Sequence, residues 1–209
     1  MDPFAEALTS EAQLAGLYEQ PHERAIAKDI ATLDDVARRL IAASPLVVVA
    51  SHDAEGRSDC TPRGGPPGFV AVLDDDHLAI PDATGNKRLD TLRNVIATGS
   101  VGLLFLVPGR DQTLRVNGRA CVTAAPDVLE AAGAVGKPPR TALVVAADEV
   151  YAHCPKAFVR SHLWDPATWP APEDVPSAAE VMLAHLRDPS RTLEEEQDYL
   201  DEALRTRLA

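Results

Sequence analysis

Short apolar runs separated by turn residues dominate the middle of the chain. Residues 46–50 (Leu-Val-Val-Val-Ala) form a β-branched run typical of a buried strand. The Asp-Ala-Glu-Gly turn at 53–56 then leads into a partner strand over 57–63. Further strands are predicted over residues 69–73, 77–80, 101–107, 113–123 and 141–152.

Helical patterns flank these strands and interrupt them once. Thr32 with Asp35 resembles a capping box at the start of the helix that precedes the first strand, and Thr192 with Glu195 marks the start of the last helix. One helix is inserted after the fourth strand, because apolar residues recur there on one helical face. Helices are predicted over residues 33–43, 87–96, 126–132, 154–163, 177–187 and 192–208.

This order of elements indicates a mainly β fold with peripheral helices. Six or seven strands joined mostly by hairpins favour a closed or nearly closed antiparallel barrel, and the lack of strand–helix alternation argues against a Rossmann domain. We expect the barrel domain to cover residues 31–165. An arm or short helices over 1–30 would precede it, and a Pro-rich segment with helices over 166–209 would pack on the barrel or on a dimer partner.

Charge limits the classes of partner. The 20 basic and 32 acidic residues give a formal net charge of −12, which repels nucleic acids and anionic membranes. A small phosphorylated ligand remains possible, because it needs only one local cationic pocket. The chain opens without a signal-peptide pattern, and no apolar run approaches the length of a bilayer span, so we expect a soluble cytoplasmic protein.

Metal chemistry is not expected. Cys60, Cys121 and Cys154 are widely spaced and include no C-x-x-C pair, which disfavours a structural zinc site and thioredoxin-like chemistry. The histidines are scattered, without a ligand partner at helical or hairpin spacing. We therefore interpret the histidines as structural residues.

Three segments combine features that a purely structural barrel does not need. In the first, residues 59–69, a strand ends in glycines and prolines around Arg63 and Gly64. Glycine permits close backbone approach to a ligand, and proline stiffens the loop. A rigid turn with a surface arginine explains this segment equally well.

The second segment, residues 80–90, carries Thr84, Asn86, Lys87 and Arg88 between a strand and the inserted helix. Two cations in a first helical turn oppose the helix dipole, and a bound phosphate would remove that conflict. The alternative is that Asn86 is a helix N-cap and that both cations are solvated.

The third segment, residues 153–164, places Lys156 and Arg160 four residues apart, with Ser161 and Trp164 close by. Two cations near a tryptophan suit a planar anionic cofactor, through ion pairing and stacking. A surface basic cluster beside a core tryptophan is the alternative.

Together these motifs resemble a known family. The stretch from 45 to 165 is similar to the FMN-binding split-barrel superfamily, in particular its branch related to pyridoxamine 5′-phosphate oxidase. The matching motifs are T-P-R-G-G-P-P-G-F-V at 61–70, G-N-K-R-L-D-T-L-R-N at 85–94, V-G-L-L-F-L-V-P-G at 101–109, T-L-R-V-N-G-R-A at 113–120 and H-C-P-K-A-F-V-R-S-H-L-W at 153–164.

The resemblance implies a homodimer that binds one FMN at each of two equivalent interface sites. Arg63 and its neighbours would line the flavin site, and the strand that carries Arg115 and Asn117 would run past the cofactor. The second segment would bind the phosphate, and the third would reach the flavin from the partner subunit. The sequence lacks the substrate-binding Arg-and-His motif of the true oxidase, so its substrate is not carried over.

The resemblance therefore implies an FMN-dependent oxidoreductase that acts on an unidentified small molecule, with no assigned catalytic residue. We hypothesise that Arg63 and Arg115 stabilise the reduced, anionic flavin. Two alternatives remain open: a deazaflavin-dependent reductase on the same fold, and a non-catalytic protein that stores or senses flavin or a tetrapyrrole-like ligand.

Overall fold

A computed structural model of the chain describes residues 2, 4–83, 85 and 87–207. Within these residues, seven strands and eight α-helices are joined by short connections, and two 3-10 turns follow the sixth helix. In chain order, the elements are α1 (Glu11–Ala15), α2 (Glu23–Ala27), α3 (Asp35–Ala43), β1 (Leu46–His52), β2 (Ser58–Gly64), β3 (Ala71–Val72), β4 (His77–Pro81), α4 (Asp90–Thr98), β5 (Ser100–Leu106), β6 (Thr113–Thr123), α5 (Pro126–Ala132), β7 (Ala142–His153), α6 (Lys156–Ser161), α7 (Ala178–Leu186) and α8 (Leu193–Arg207).

The seven strands form one antiparallel sheet in the order β2-β1-β5-β6-β7-β4-β3. The edge strands β2 and β3 are not paired with each other within the described residues, so the sheet does not close. This open antiparallel sheet with peripheral helices confirms the predicted split barrel.

One face of the sheet, here called the core face, carries the main core. Alternation along β1 points Val47 and Val49 to this face, where both are fully buried, and α3 and α4 cover it. The opposite face is here called the outer face. At β4 and β7 a small cluster around Ala79, Ala132 and Ala142 packs under α5 on that face. No described helix packs extensively on the outer face of β1 and β5.

A β-bulge changes the side-chain alternation of β7. Val145 and Ala147 point to the core face, and so does Val150, although it lies three residues after Ala147. The register shifts between Asn117 and Gly118, which leaves an additional residue on β7. As a result, the residues that follow the bulge exchange faces.

Helix α3 begins later than the sequence predicts. The capping box assigned to Thr32 and Asp35 is wrong, because the N-cap is Asp34, whose carboxylate accepts the backbone N–H of Ala37 at 2.8 Å. The Thr32 hydroxyl instead donates to the carbonyl of Asp75 at 3.0 Å, and the Leu33 N–H donates to the same carbonyl at 2.7 Å. These bonds hold the backbone at 32–33 on the turn between β3 and β4.

Before α3, the chain is attached to β7. Helices α1 and α2 contain no buried residue. Ile30 then forms a β-bridge to Val150, with N···O distances of 3.1 and 2.6 Å. The Lys28 ammonium donates to the carbonyl of Ala152 at 2.7 Å. This short segment therefore continues the sheet beyond His77, the first residue of β4, which pairs with Ala146 of β7.

After α6, the chain leaves the barrel. The Trp164 indole N–H donates to the carbonyl of Arg110 at 3.0 Å, on the turn between β5 and β6. Helices α7 and α8 then pack on each other, and the predicted capping box of Thr192 and Glu195 is confirmed by reciprocal bonds of 2.9 and 3.2 Å. Neither of these helices, nor any other described helix, is long and apolar enough to cross a lipid bilayer.

Candidate functional site

A polar network lies between β2 and α4, at the edge of the core face. The Thr91 hydroxyl donates to Asp59 Oδ2 at 2.8 Å, and the buried Asn94 amide donates to Ser51 Oγ at 3.0 Å. Ser51 Oγ also lies 3.4 Å from Asp59 Oδ2. These residues meet because Ser51 and Asp59 are cross-strand partners on β1 and β2, while Thr91 and Asn94 share one face of α4.

Arg63 joins this network from the end of β2. Its guanidinium donates to Thr61 Oγ1 at 2.9 Å, to Thr91 Oγ1 at 3.3 Å and to the carbonyl of Pro62 at 3.1 Å. Arg63 is half-buried. Within the described residues it forms no salt bridge. A half-buried guanidinium held by hydroxyls can still bind an anion. Arg63 and the polar residues around it are called the Arg63 site: Ser51, Asp59, Thr61, Thr91 and Asn94.

Gly64 and Gly65 follow Arg63 where the chain leaves β2. A Cβ atom on Gly65 would lie 2.7 Å from the Cβ of Phe69, whereas one on Gly64 would lie 3.4 Å from the carbonyl oxygen of Pro45. The backbone here is therefore packed closely on the loop that follows it. Gly65 is required by packing, and Gly64 leaves the strand end accessible beside Arg63.

Asp82 introduces a negative charge near Arg63. Burial raises the pKa of the Asp82 carboxyl above its usual value, and the Arg63 guanidinium opposes part of that rise. When Asp82 is protonated it carries no charge, so it no longer repels an anion bound near Arg63.

The raised pKa of Asp82 predicts a pH effect on stability. The folded protein holds this proton more tightly than the unfolded chain, so its stability falls as the pH rises from about 4 through the folded-state pKa. Asp82→Asn has no carboxyl group to titrate. Its free energy of unfolding should therefore increase relative to that of the wild type as the pH rises over this range. Urea unfolding from pH 4 to 8 measures the difference.

Asp53 provides the matched control for this experiment. Hydrogen bonds from Arg57 lower the pKa of the Asp53 carboxyl, so Asp53 contributes stability that is lost as the pH falls. Asp53→Asn should therefore be less stable than the wild type at neutral pH. This difference should shrink as the pH falls, which is the opposite trend to that of Asp82→Asn. An Asp82→Asn difference that does not change with pH contradicts the assignment.

The predicted helix over 87–96 is wrong at its start. Lys87 and Leu89 have φ values of 62° and 60°, in the left-handed region, and α4 begins only at Asp90. Its first turn carries this acid, which accepts a bond from Arg88 Nε at 2.8 Å. The expected conflict between two cations and the helix dipole therefore does not arise.

The rest of this predicted phosphate segment is only partly described. Thr84 and Asn86 lie outside the described residues. Lys87 and Arg88 lie in the connection between β4 and α4, which also carries Asp82 near the Arg63 site. The structure thus brings this connection close to Arg63, but Lys87 and Arg88 are not part of the first turn of α4.

A second polar cluster lies on the outer face of the sheet. Arg115 Nε donates to Asn117 Oδ1 at 3.2 Å, and Asn117 Nδ2 donates to Glu149 Oε2 at 2.6 Å. Two cations approach the Tyr151 ring, with Arg115 Cζ at 5.8 Å and Lys28 Nζ at 5.3 Å from its centroid. These five residues are called the outer-face cluster.

One chain does not bring the two groups of residues together. On β6, Leu114 and Val116 point to the core face, so Arg115 and Asn117 point to the outer face. Arg63 is the cross-strand partner of the buried Val47 and therefore lies on the core side. The Arg63 site and the outer-face cluster thus occupy opposite faces of the sheet.

Helix α6 carries the third predicted group at the surface. Lys156 and Arg160 are exposed on adjacent turns, and Arg160 Nε donates to the Lys156 carbonyl at 3.1 Å. The Ser161 hydroxyl donates to the carbonyl of Phe158 at 3.1 Å. The Phe158 ring stacks on Trp164 with centroids 6.1 Å apart. Both cations therefore remain available to a ligand or a neighbouring chain.

Several residues of these clusters were missed at the sequence level. Thr91 and Asn94 are three apart on α4, which is a signal for a shared polar face. Lys28 belongs to the arm before the barrel, and no local pattern links it to Tyr151. Within the described residues, no group of three or more His, Cys, Asp or Glu side chains is arranged to hold a metal ion.

Comparison with known proteins places this architecture in context. A family model described as pyridoxamine 5′-phosphate oxidase matches residues 33–154, more than half of the 209 residues. That span begins just before α3 and ends after β7, so it includes the Arg63 site and all of the outer-face cluster except Lys28. No curated protein matches the chain.

Solved structures with a similar fold share low sequence identity. HupZ from Group A Streptococcus is 21% identical, with a TM-score of 0.47, over 57% of this chain and 92% of that one. A putative pyridoxamine 5′-phosphate oxidase from Lactobacillus delbrueckii is 23% identical, with a TM-score of 0.46, over 58% and 95%. A conserved hypothetical protein from Mycobacterium tuberculosis is 13% identical, with a TM-score of 0.43, over 82% and 98%.

Proposed function

Because the chain belongs to the pyridoxamine 5′-phosphate oxidase family, we propose that it binds FMN at the interface of a homodimer and acts as an oxidoreductase on a small molecule. The observation that carries this proposal is the half-buried Arg63 guanidinium, whose hydrogen bonds to the described residues go to two hydroxyls and a carbonyl. In a chain with a net charge of −12, this cation suits a phosphate group.

The connection that precedes α4 would complete the phosphate site. Lys87 and Arg88 lie on this connection, and Thr84 and Asn86 are proposed as further contacts. Left-handed φ values at two non-glycine residues, Lys87 and Leu89, are uncommon and cluster at ligand-binding loops. This local conformation supports a binding role for the connection.

The outer-face cluster would contact the flavin ring. FMN, when bound, supplies hydride or single-electron transfer at its ring. The Arg115 guanidinium can stabilise negative charge that develops on a reduced ring, and Asn117 fixes its orientation through the bond to Arg115. No residue of the chain is required as an acid or base for hydride transfer, so none is assigned that role.

A dimer is proposed because two sets of residues lie on opposite faces of one chain. A two-fold dimer can supply one set from each copy to a single cofactor, and two equivalent sites follow from the symmetry. Lys156, Arg160, Ser161 and Trp164 of the partner subunit would then also reach the ligand. The exposed cations of α6 support this arrangement.

The test is the visible absorption spectrum of the purified protein, with mass spectrometry of the ligand that denaturation releases. We expect FMN at about one per chain, in a protein that sediments as a dimer. Release of a deazaflavin would replace the cofactor. Bound FMN that no nicotinamide donor reduces would favour storage or sensing. A protein that binds neither cofactor contradicts the proposal.

A further inference from the structure

A small cavity, here called the arm cavity, lies between α2 and β7 on the outer face of the sheet. Its volume is about 360 Å³, which is at the lower end of the range typical of small-molecule sites. The segment before α3 supplies one wall and β7 supplies the other. The lining residues are Ala25, Ile26, Lys28, Asp29, Glu149 and Tyr151.

Two attachments fix the wall that α2 supplies. Ile30 forms its β-bridge to Val150, and the Lys28 ammonium donates to the carbonyl of Ala152 at 2.7 Å. Helix α2 itself has no buried residue, and Ile26 is 64% exposed. The chain therefore holds an apolar wall beside β7 without filling the space between them. This wall precedes residues 33–154, the span shared with the family model, so it is an addition to the barrel.

The charges around the Tyr151 ring favour a ligand with a single negative charge. Neither Lys28 nor Arg115, the two cations that approach this ring, forms a salt bridge within the described residues. Two carboxylates, Asp29 and Glu149, also lie here and are exposed to water. Because these charges balance, a monoanion in direct contact with Lys28 is favoured over a doubly charged phosphate.

The remaining contacts suit a planar group. An ammonium has three donors, and within the described residues the Lys28 side chain uses one of them, on the carbonyl of Ala152. The Tyr151 ring can stack on a flat ligand, and Ala25 and Ile26 provide apolar contact. A flat, conjugated carboxylate therefore matches both the charge and the shape of the lining.

We propose that the arm cavity binds a small aromatic or conjugated carboxylate, with the carboxylate on Lys28 and the ring on Tyr151. The cavity adjoins Asn117, whose amide donates to Glu149 Oε2 at 2.6 Å, and Asn117 belongs to the cluster that would contact the flavin. This ligand is thus the substrate class of the proposed oxidoreductase. That last step rests on the proposed function, whereas binding in the cavity does not require a flavin.

Benzoate and benzamide are the probes, because they have nearly the same size and shape but differ in charge. Titration calorimetry measures their affinities for the wild type, Lys28→Gln and Lys137→Gln. We expect Lys28→Gln to weaken benzoate at least about 10-fold and benzamide little, because glutamine can still donate to Ala152 but carries no charge. Lys137 is exposed and precedes the opposite end of β7, so Lys137→Gln is the matched control and should have no effect.

A second variant, Ala25→Trp, tests the cavity itself. Ala25 is exposed on α2, so a tryptophan should leave the subunit folded but fill the cavity, and both probes should then lose affinity. A wild type that does not bind benzoate overturns the proposal, and so does benzoate binding that neither variant changes. Equal losses of benzoate and benzamide in Lys28→Gln overturn the carboxylate assignment, because Lys28 would then act only by attaching the arm.

The absorption band of the flavin, recorded on the same samples, separates this inference from the proposed function. In protein that carries FMN, the band should shift as benzoate binds beside the ring. Benzoate binding that leaves the band unchanged overturns the substrate assignment. A protein without FMN that still binds benzoate through Lys28 contradicts the proposed function but supports the cavity as a carboxylate site.

Discussion

Replacing Gly118 by alanine is expected to destabilise the fold by at least about 3 kcal/mol, because the added methyl group has no space. A Cβ atom at this position would overlap the carbonyl oxygen of Ala146 and lie 2.9 Å from its carbonyl carbon. It would also lie 3.2 Å from the Cα of Ala147. These are backbone atoms of the neighbouring strand, which cannot move aside as a flexible side chain can.

The close approach at Gly118 is part of the bulge between β6 and β7. Asn117 pairs with Glu149 and Gly118 pairs with Ala147, so Asp148 is the additional residue on β7. A strand that alternated without interruption from Ala147 would turn Glu149 and Tyr151 to the core face. The bulge instead places both on the outer face, where they meet Asn117 and Arg115.

Thermal and urea unfolding of Gly118→Ala measure this expectation. For a chain of this size, the predicted loss corresponds to a fall in melting temperature of roughly 6–12 °C. Gly16→Ala is the matched control, because Gly16 has an ordinary helical backbone and its nearest contact would be 3.5 Å away. A Gly118→Ala protein as stable as this control contradicts the close packing of β6 on β7.

Much of the fold could be predicted from local pattern alone. Strand β6 (Thr113–Thr123) and helix α5 (Pro126–Ala132) begin and end where the sequence predicts. Both lie beside turn residues or a proline at the first helical position, which are local signals. The antiparallel order of the central strands followed from short hairpin turns, which bring consecutive strands together.

The bulge in β7 could not be predicted in this way. Alternation with a period of two assigns Ala147 and Glu149 to one face, whereas the structure separates them. Only the pairing with β6, a contact between distant segments, determines where the additional residue lies. The sequence does contain Gly118 at the partner position, but an isolated glycine in a strand does not specify a register.

The start of α4 shows a related limit. Helical periodicity continued back to Lys87 in the sequence, but the backbone is left-handed at Lys87 and Leu89. The conformation of such a connection depends on its surroundings rather than on its own residues. The predicted phosphate site at a helix N-terminus is therefore wrong in its geometry, because α4 begins only at Asp90. The half-buried Arg63, which the sequence also indicated, supplies a different reason to propose a phosphate nearby.

Arg63→Gln is expected to weaken FMN binding by roughly 100-fold, because glutamine removes the charge and the paired donors that a phosphate accepts. Glutamine can still bond to Thr61 or Thr91, so the fold should be retained. Riboflavin lacks the phosphate and provides the critical comparison. Its affinity should be the same for the wild type and for Arg63→Gln, if Arg63 contacts only the phosphate.

Titration calorimetry with both ligands measures these four affinities. Arg57→Gln is the matched control, because Arg57 is 78% exposed and pairs with Asp53 at 2.6 Å in the turn before β2. It should bind FMN as the wild type does. Equal losses for FMN and riboflavin would place Arg63 at the ring or show that the site is distorted. An unchanged FMN affinity would remove Arg63 from the site, and the phosphate would then have to depend on Lys87, Arg88 or the exposed cations of α6.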